Sequence, residues 1–171
     1  FLGKFSDLMR LTLDMSNEQQ IPLQDEIQML DLYLQLEAIR FENLQYSLEI
    51  DKNLDAENIQ IPSMIIQPYI ENALKHGLLH KKENRRLWIR FSQKNDFLQC
   101  EVEDNGIGRK KAGEFNKNKP KKHKSFAISA TQKRLDLLNY GRKKAIKSEI
   151  IDLYSENQEP MGTKIILQIP I

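Results

Sequence analysis

The chain is poor in the residues that would announce its chemistry. One cysteine among 171 residues, Cys100, excludes an internal disulfide and a cysteine-built metal centre, which fits a reducing compartment. No run approaches the ~20 apolar residues of a membrane span. The opening Phe1-Leu2-Gly3-Lys4 is neither a signal peptide nor an initiator methionine, so the sequence reads as a piece of a longer protein. Glycine is scarce at seven residues, and neither a Gly/Ser linker nor an internal repeat is present. Charge of one sign is also missing: 26 Lys and Arg balance 24 Asp and Glu to a net +2. What remains is 40% hydrophobic, with seven Phe, five Tyr and one Trp, enough to fill the core of one globular domain with an appended element.

The apolar pattern changes character along the chain. Residues 5 to 15 and 24 to 43 read as helices. In the second, Leu23, Ile27, Leu30, Leu34 and Ile39 recur at helical spacing behind Pro22, with Asp25 and Glu26 where negative charge suits the helix dipole. From residue 45 the period is two, with Tyr46, Leu48 and Ile50 alternating with polar residues, which predicts a half-buried strand. A helix is expected from Pro62 to about Gly77, which would end it. Leu87, Ile89 and Phe91, then Leu98, Cys100 and Val102, predict two strands joined by a hairpin at Lys94-Asn95-Asp96. Residues 105 to 124 show no periodicity and predict a long loop. A helix over 126 to 140 and strands at 145 to 154 and 163 to 170 follow. This order implies an α+β sandwich, one mixed sheet with helices on one face.

Three constellations could carry chemistry. Asp104-Asn105-Gly106-Ile107-Gly108 ends a strand in an acid and places two of the seven glycines within three residues. It is either an ordinary turn or a place where backbone approaches a ligand. It is no Rossmann fingerprint, and no P-loop occurs. Glu71, Asn72, Lys75 and His76 gather on one helix face, offering oxygen to a hard cation and positive charge to a phosphate, or forming a solvated surface. His76 and His80 lack the Glu of a zinc-hydrolase motif, and Gly77 intervenes between them. Residues 109 to 124 hold eight Lys or Arg against one Glu, a net +7 that leaves the rest of the chain at −5. A cationic lid over a polyphosphate explains this charge better than nucleic-acid binding, which would set aromatics among basic residues on regular elements.

Together these segments resemble a known family. Asn72 in Glu-Asn-Ala-Leu-Lys-His-Gly is similar to the N box, and Asp104 to Gly108 to the G1 box, of the GHKL ATPases. Ile61-Pro62-Ser63-Met64-Ile65-Ile66-Gln67-Pro68 and Tyr33-Leu34-Gln35-Leu36-Glu37-Ala38-Ile39-Arg40-Phe41 narrow the resemblance to LytS-like sensor histidine kinases. It runs through nearly the whole chain. It implies a two-layer GHKL sandwich with a mostly antiparallel mixed sheet, remnant dimerisation helices over 1–43, an ATP-binding domain over 44–171 and a lid over about 105–125.

By the same resemblance Asn72 would coordinate Mg²⁺ on the ATP phosphates, with Lys75 and His76 nearby. Asp104 would take the adenine amino group in a cavity walled by Ile66, Ile70 and Ile107. Gly106 and Gly108 would pass under the nucleotide, Ser125 would face the phosphates and Thr163 would support adenine through water. Two features depart from the pattern. Ser125, Ala127 and Ala130 stand where the G2 region has Gly-x-Gly and Asn, and no acceptor His of the family's context lies in the chain. The implied protein is a membrane-anchored homodimer with this domain in the cytoplasm. It would phosphorylate its own His and pass the phosphoryl group to an Asp of a response-regulator receiver domain, without binding nucleic acid. The competing expectations are a nucleotide-free interaction module or another GHKL ATPase or protein kinase.

Overall fold

The structure, a computed structural model, describes residues 2–115 and 122–171. Helix α1 (Leu2–Ser16) leads to a short strand β1 (Gln20–Pro22) and helix α2 (Leu23–Arg40). Strands β2 (Leu44–Ile50) and β3 (Gln60–Pro62) precede helix α3 (Gln67–Asn72), which widens into a π-helical segment over Ala73–Leu78. The hairpin β4 (Arg85–Lys94) and β5 (Phe97–Asp104) is followed by α4 (Gly108–Phe115), α5 (Lys122–Asn139), β6 (Lys147–Tyr154) and β7 (Pro160–Pro170). Five strands form one sheet in the order β2-β4-β5-β7-β6, with only β2 and β4 parallel, while β1 and β3 pair separately. This is the expected α+β sandwich with a mixed, mostly antiparallel sheet.

Strand parity explains which side chains face the helices. Ile89, Val102 and Ile165 lie in one cross-strand row and Phe91, Cys100 and Leu167 in the next, all buried. The same parity carries Leu87, Asp104 and Thr163 into the row at the sheet's end, so a carboxylate joins the core-facing set. On the opposite face Arg90 meets Glu103 at 3.0 Å and Lys164 meets Glu101 at 2.6 Å, a charged surface consistent with solvent contact.

Several boundaries differ from expectation. The helix expected from Pro62 begins at Gln67, because residues 60–62 pair with β1 instead. Gly77 does not stop it, since the π-helical segment continues to Leu78. The loop expected over 105 to 124 contains α4, and α5 starts at Lys122 rather than 126. Among the described side chains of α4 the one that is buried is Ala112, too little to write a period into the sequence. The part of the expected lid at residues 116–121 lies outside the described residues. Ile39, expected in the apolar stripe of α2, is exposed.

The division expected near residue 43 is not a break in packing. Leu23, Ile27, Met29, Leu30 and Leu34 of α2 belong to the same buried cluster as the sheet residues Ile89, Phe91 and Leu167. Structurally α2 is a layer of the sandwich, and α1 is the appended helix, with Leu2 and Leu13 on its exposed side. Leu34→Ala is therefore expected to lower the stability of the whole sheet by about 2 to 5 kcal/mol, whereas Leu13→Ala should change it by less than about 0.5. Denaturant unfolding followed by Trp88 fluorescence checks this, and an unchanged sheet midpoint in Leu34→Ala would show that α2 does not fold as one unit with the sheet.

Candidate nucleotide-binding site

The site begins where β5 runs out. Asp104 is 3% exposed, and its Oδ1 accepts the backbone N–H of Gly106 at 2.8 Å, a local turn that bends the chain off the sheet. The Thr163 backbone N–H, directly across on β7, also supports the carboxylate. Burial nevertheless pushes the Asp104 carboxyl up to about 7, opposed by those two N–H groups and by the Lys81 ammonium. Lys81 itself donates to the Asn105 carbonyl at 2.6 Å, and the Asn105 side chain bonds the Asn84 carbonyl and the Arg86 N–H at 2.8 Å each. The turn is thus stitched to the chain entering β4.

Against this turn packs the π-helical segment. A side chain at Gly77 would collide with the Asp104 carboxylate, and one at Gly106 would collide with the Gly77 carbonyl. The Ile107 N–H donates to that carbonyl at 3.1 Å. Gly77 is therefore a close-approach glycine, where the sequence had suggested a helix stop. A wide π turn is a common feature of functional sites, and here it lets helix and turn meet backbone to backbone. Gly108 takes φ +76 beside Pro160 and starts α4, whose Arg109 forms a two-pronged pair with Asp152 of β6 at 2.7 Å on each prong.

One turn earlier, Asn72, Lys75 and His76 line a groove of about 310 Å³ together with Pro68, Glu71, Ala130, Thr131 and Arg134. Lys75 pairs with Glu71 at 2.8 Å on the surface. The groove runs between this helix and α5 and does not include Asp104. The groove is not the cavity expected around Asp104 between Ile66, Ile70 and Ile107: Ile66 and Ile70 are fully buried in the core, and the Gly77 backbone packs against the Asp104 carboxylate. The structure so brings together Asp104, Gly106, Gly108 and Thr163 at the sheet end, and Asn72, Lys75 and His76 along the groove, with Gly77 between the two sets. Ser125 falls within α5, and its expected role lies outside the described residues. Sequence reasoning passed over Lys81 and Arg85 and gave Glu26 only a local role; Lys81 reaches Asn105, Arg85 reaches Glu42 and Glu26 reaches Ile66 across 24, 43 and 40 residues.

The architecture is that of histidine kinase catalytic domains: the catalytic domain of ThkA superposes with a TM-score of 0.57 at 17% identity, over 88% of this chain and 95% of that one. A family model described as "Histidine kinase" matches residues 1–45. The sensor protein LytS of Staphylococcus epidermidis is 33% identical over 107 residues, 63% of this chain and 18% of LytS. The sensor histidine kinase BtsS of Escherichia coli is 36% identical over 86 residues, 50% of this chain and 15% of BtsS. In sequence the chain is thus similar to LytS-like sensor histidine kinases, and in fold to histidine kinase catalytic domains. It spans less than a fifth of the length of these curated relatives.

The buried carboxyl gives a pH signature. Asp104 in the unfolded chain ionises near its ordinary value of 3.8, and in the fold only near 7, so the folded state holds an extra proton between them. Its favourable contribution is complete below that window and is lost as pH rises through about 7. Wild-type stability should fall between about pH 4 and 7 more steeply than that of Asp104→Asn, by up to about 1.4 kcal/mol per pH unit. Parallel unfolding profiles for the two proteins would show that Asp104 is ionised in the fold throughout.

Proposed function

We propose that this chain is the Mg-ATP-binding catalytic part of a sensor histidine kinase, and that the full-length protein transfers the γ-phosphoryl group to one of its own histidines. The observation that carries the reading is the buried Asp104 carboxylate at a main-chain crossing where Gly77 and Gly106 leave no room for side chains. A carboxylate held there by main-chain N–H groups is an acceptor for an exocyclic amino group such as adenine's, and the desolvated setting strengthens that bond.

The residues present fit both absent groups. Among the described residues no cluster of three His, Cys, Asp or Glu could hold a metal unaided. A single oxygen ligand such as the Asn72 amide suits Mg²⁺, which keeps several waters and is otherwise held by substrate phosphates. Bound ATP supplies the phosphoryl group. Asp104 would orient the base, Asn72 would hold the metal, and Lys75 and His76 would lie beside the phosphates. The Glu71–Lys75 pair is half-exposed and worth under about 1 kcal/mol, so Lys75 can exchange Glu71 for a phosphate at little cost. Phosphoryl transfer rests mainly on such positioning and charge stabilisation. Residues 109–124, with a net +7, follow the Asp104–Gly108 turn in sequence.

The acceptor histidine, a membrane anchor, a homodimer built through the exposed apolar side of α1 and phosphoryl relay to a receiver-domain Asp complete the reading for the whole protein. Residues 1–43 would be the end of the dimerisation region, with α2 packed on the ATP-binding domain of residues 44–171 and its lid. Among the described residues no helix is long and apolar enough to cross a membrane.

Calorimetry with Mg²⁺ and a non-hydrolysable ATP analogue tests the site. The wild-type chain should bind, and Asp104→Asn and Asn72→Ala should each weaken binding at least about tenfold, the loss expected for a buried charge-assisted bond or a metal ligand. Equal affinity in both variants overturns the residue assignment. No binding by the wild type at millimolar analogue supports the nucleotide-free interaction module.

A further inference from the structure

The helix that carries Asn72, Lys75 and His76 has no cap of its own. Its entry, Ile65-Ile66-Gln67-Pro68, offers no Ser, Thr, Asp or Asn before the first turn, and no side chain of the entry bonds its free amides. The missing acceptor comes from α2. Glu26, on the face that also presents Leu23, Ile27, Leu30 and Leu34, is fully buried, and its Oε1 accepts the Ile66 N–H at 2.7 Å across 40 residues of sequence. The Ile65 and Met64 amides face the same carboxyl, turned inward by the left-handed Met64, φ 54. A buried carboxylate with its second oxygen unpartnered is costly to keep, and burial raises its pKa to about 7 against the pull of those amides and of Arg134. From α5, Arg134 grips the same corner by its carbonyls, donating to Ser63 and Met64.

The far end of the helix is tied to the far end of α2. Arg85 donates from Nε to the carbonyls of Leu78 at 3.1 Å and Lys81 at 2.6 Å, and from Nη1 to the Glu42 carbonyl at 2.9 Å. Its guanidinium lies 5.7 Å from the centroid of the Phe41 ring. The last carbonyls of the π-helical segment and the residues just beyond α2 thus share one side chain. Residues 67–78 are fastened at both ends to α2, and nothing in the reading of Asn72 or Asp104 requires it.

We infer that Glu26 and Arg85 are positioning residues through which α2, and with it the preceding helix α1, sets the placement of the helix that presents Asn72, Lys75 and His76. A shift of α2 along its axis pulls on both ends of that helix, while the sheet behind Asp104 stays in place. Upstream movement is in this way converted into a change in the distance between the metal ligand and the base-binding carboxylate. The consequence for nucleotide rests on the proposed Mg-ATP reading. The mechanical coupling rests on the hydrogen bonds alone.

Amide hydrogen exchange on the intact chain separates the two. Glu26→Ala should raise exchange across residues 66–78 about tenfold relative to wild type, with β4 and β5 amides unchanged, and Glu26→Gln, which keeps an acceptor of the same shape, should restore most of the protection. Arg85→Lys, which keeps the charge but loses the fork, should raise exchange at the 74–81 end. In parallel calorimetry the alanine variant should bind the Mg-analogue complex about tenfold more weakly, and Glu26→Gln should recover it. Exchange equal to wild type, or raised uniformly through the sheet, overturns the inference by showing no role or a merely structural one. If the wild type binds no nucleotide, the Mg-ATP reading falls and the exchange pattern alone decides the coupling. If Glu26→Ala does not fold, the pattern in Glu26→Gln and Arg85→Lys decides it.

Discussion

The arrangement depends on one contact, the crossing of two backbones at Gly77 and Gly106. A strand end and a helix ordinarily stand about 10 Å apart because side chains fill the space between them. Here both partners are glycine, so the Gly77 carbonyl reaches the Ile107 N–H at 3.1 Å and the Gly77 backbone presses on the Asp104 carboxylate. The crossing has three consequences. It buries Asp104, which raises its pKa against the pull of Lys81. It holds the exit of the helix, at Gly77, against the Asp104 turn. It also sets the direction in which the chain leaves for α4.

Around that fixed point the remaining ties are polar bonds over long sequence separations. Glu26 and Arg134 hold the entry to the helix, Arg85 holds its exit, and Arg109 pins the start of α4 to Asp152. Each of these four side chains joins segments that a hydrophobic core would leave free to slide. Apolar packing gives the sandwich its stability, as the shared burial of α2 and the sheet shows. Directional bonds give the site its geometry.

The sheet was legible because alternation survives in Leu87-Ile89-Phe91 and Leu98-Cys100-Val102, and two covered rows impose that pattern. Asp104 was legible as the acid that ends the strand beside two glycines; its burial, two residues on from Val102, follows the same parity. Other features left no local trace. β1 and β3 are three residues each, too short to alternate, and among its described side chains α4 buries only Ala112. The Gly77 role was misread because a glycine ending a helix and a glycine admitting another backbone are the same letter. Glu26 was read as a dipole complement for α2, a local role, because its actual partner lies 40 residues away. That α2 packs on the sheet was not legible for a related reason: α2 has the apolar stripe of any packed helix, and the stripe does not say what it packs against.

The central claim is that the Gly77–Gly106 crossing holds Asp104 for a nucleotide base while the helix beside it holds the metal. A crystal structure of the chain grown with Mg²⁺ and a non-hydrolysable ATP analogue tests it directly. The account predicts the base amino group within hydrogen-bond distance of the Asp104 carboxylate and the metal on the Asn72 amide oxygen. A nucleotide bound elsewhere, with Asp104 still contacted only by its own main chain, would contradict it.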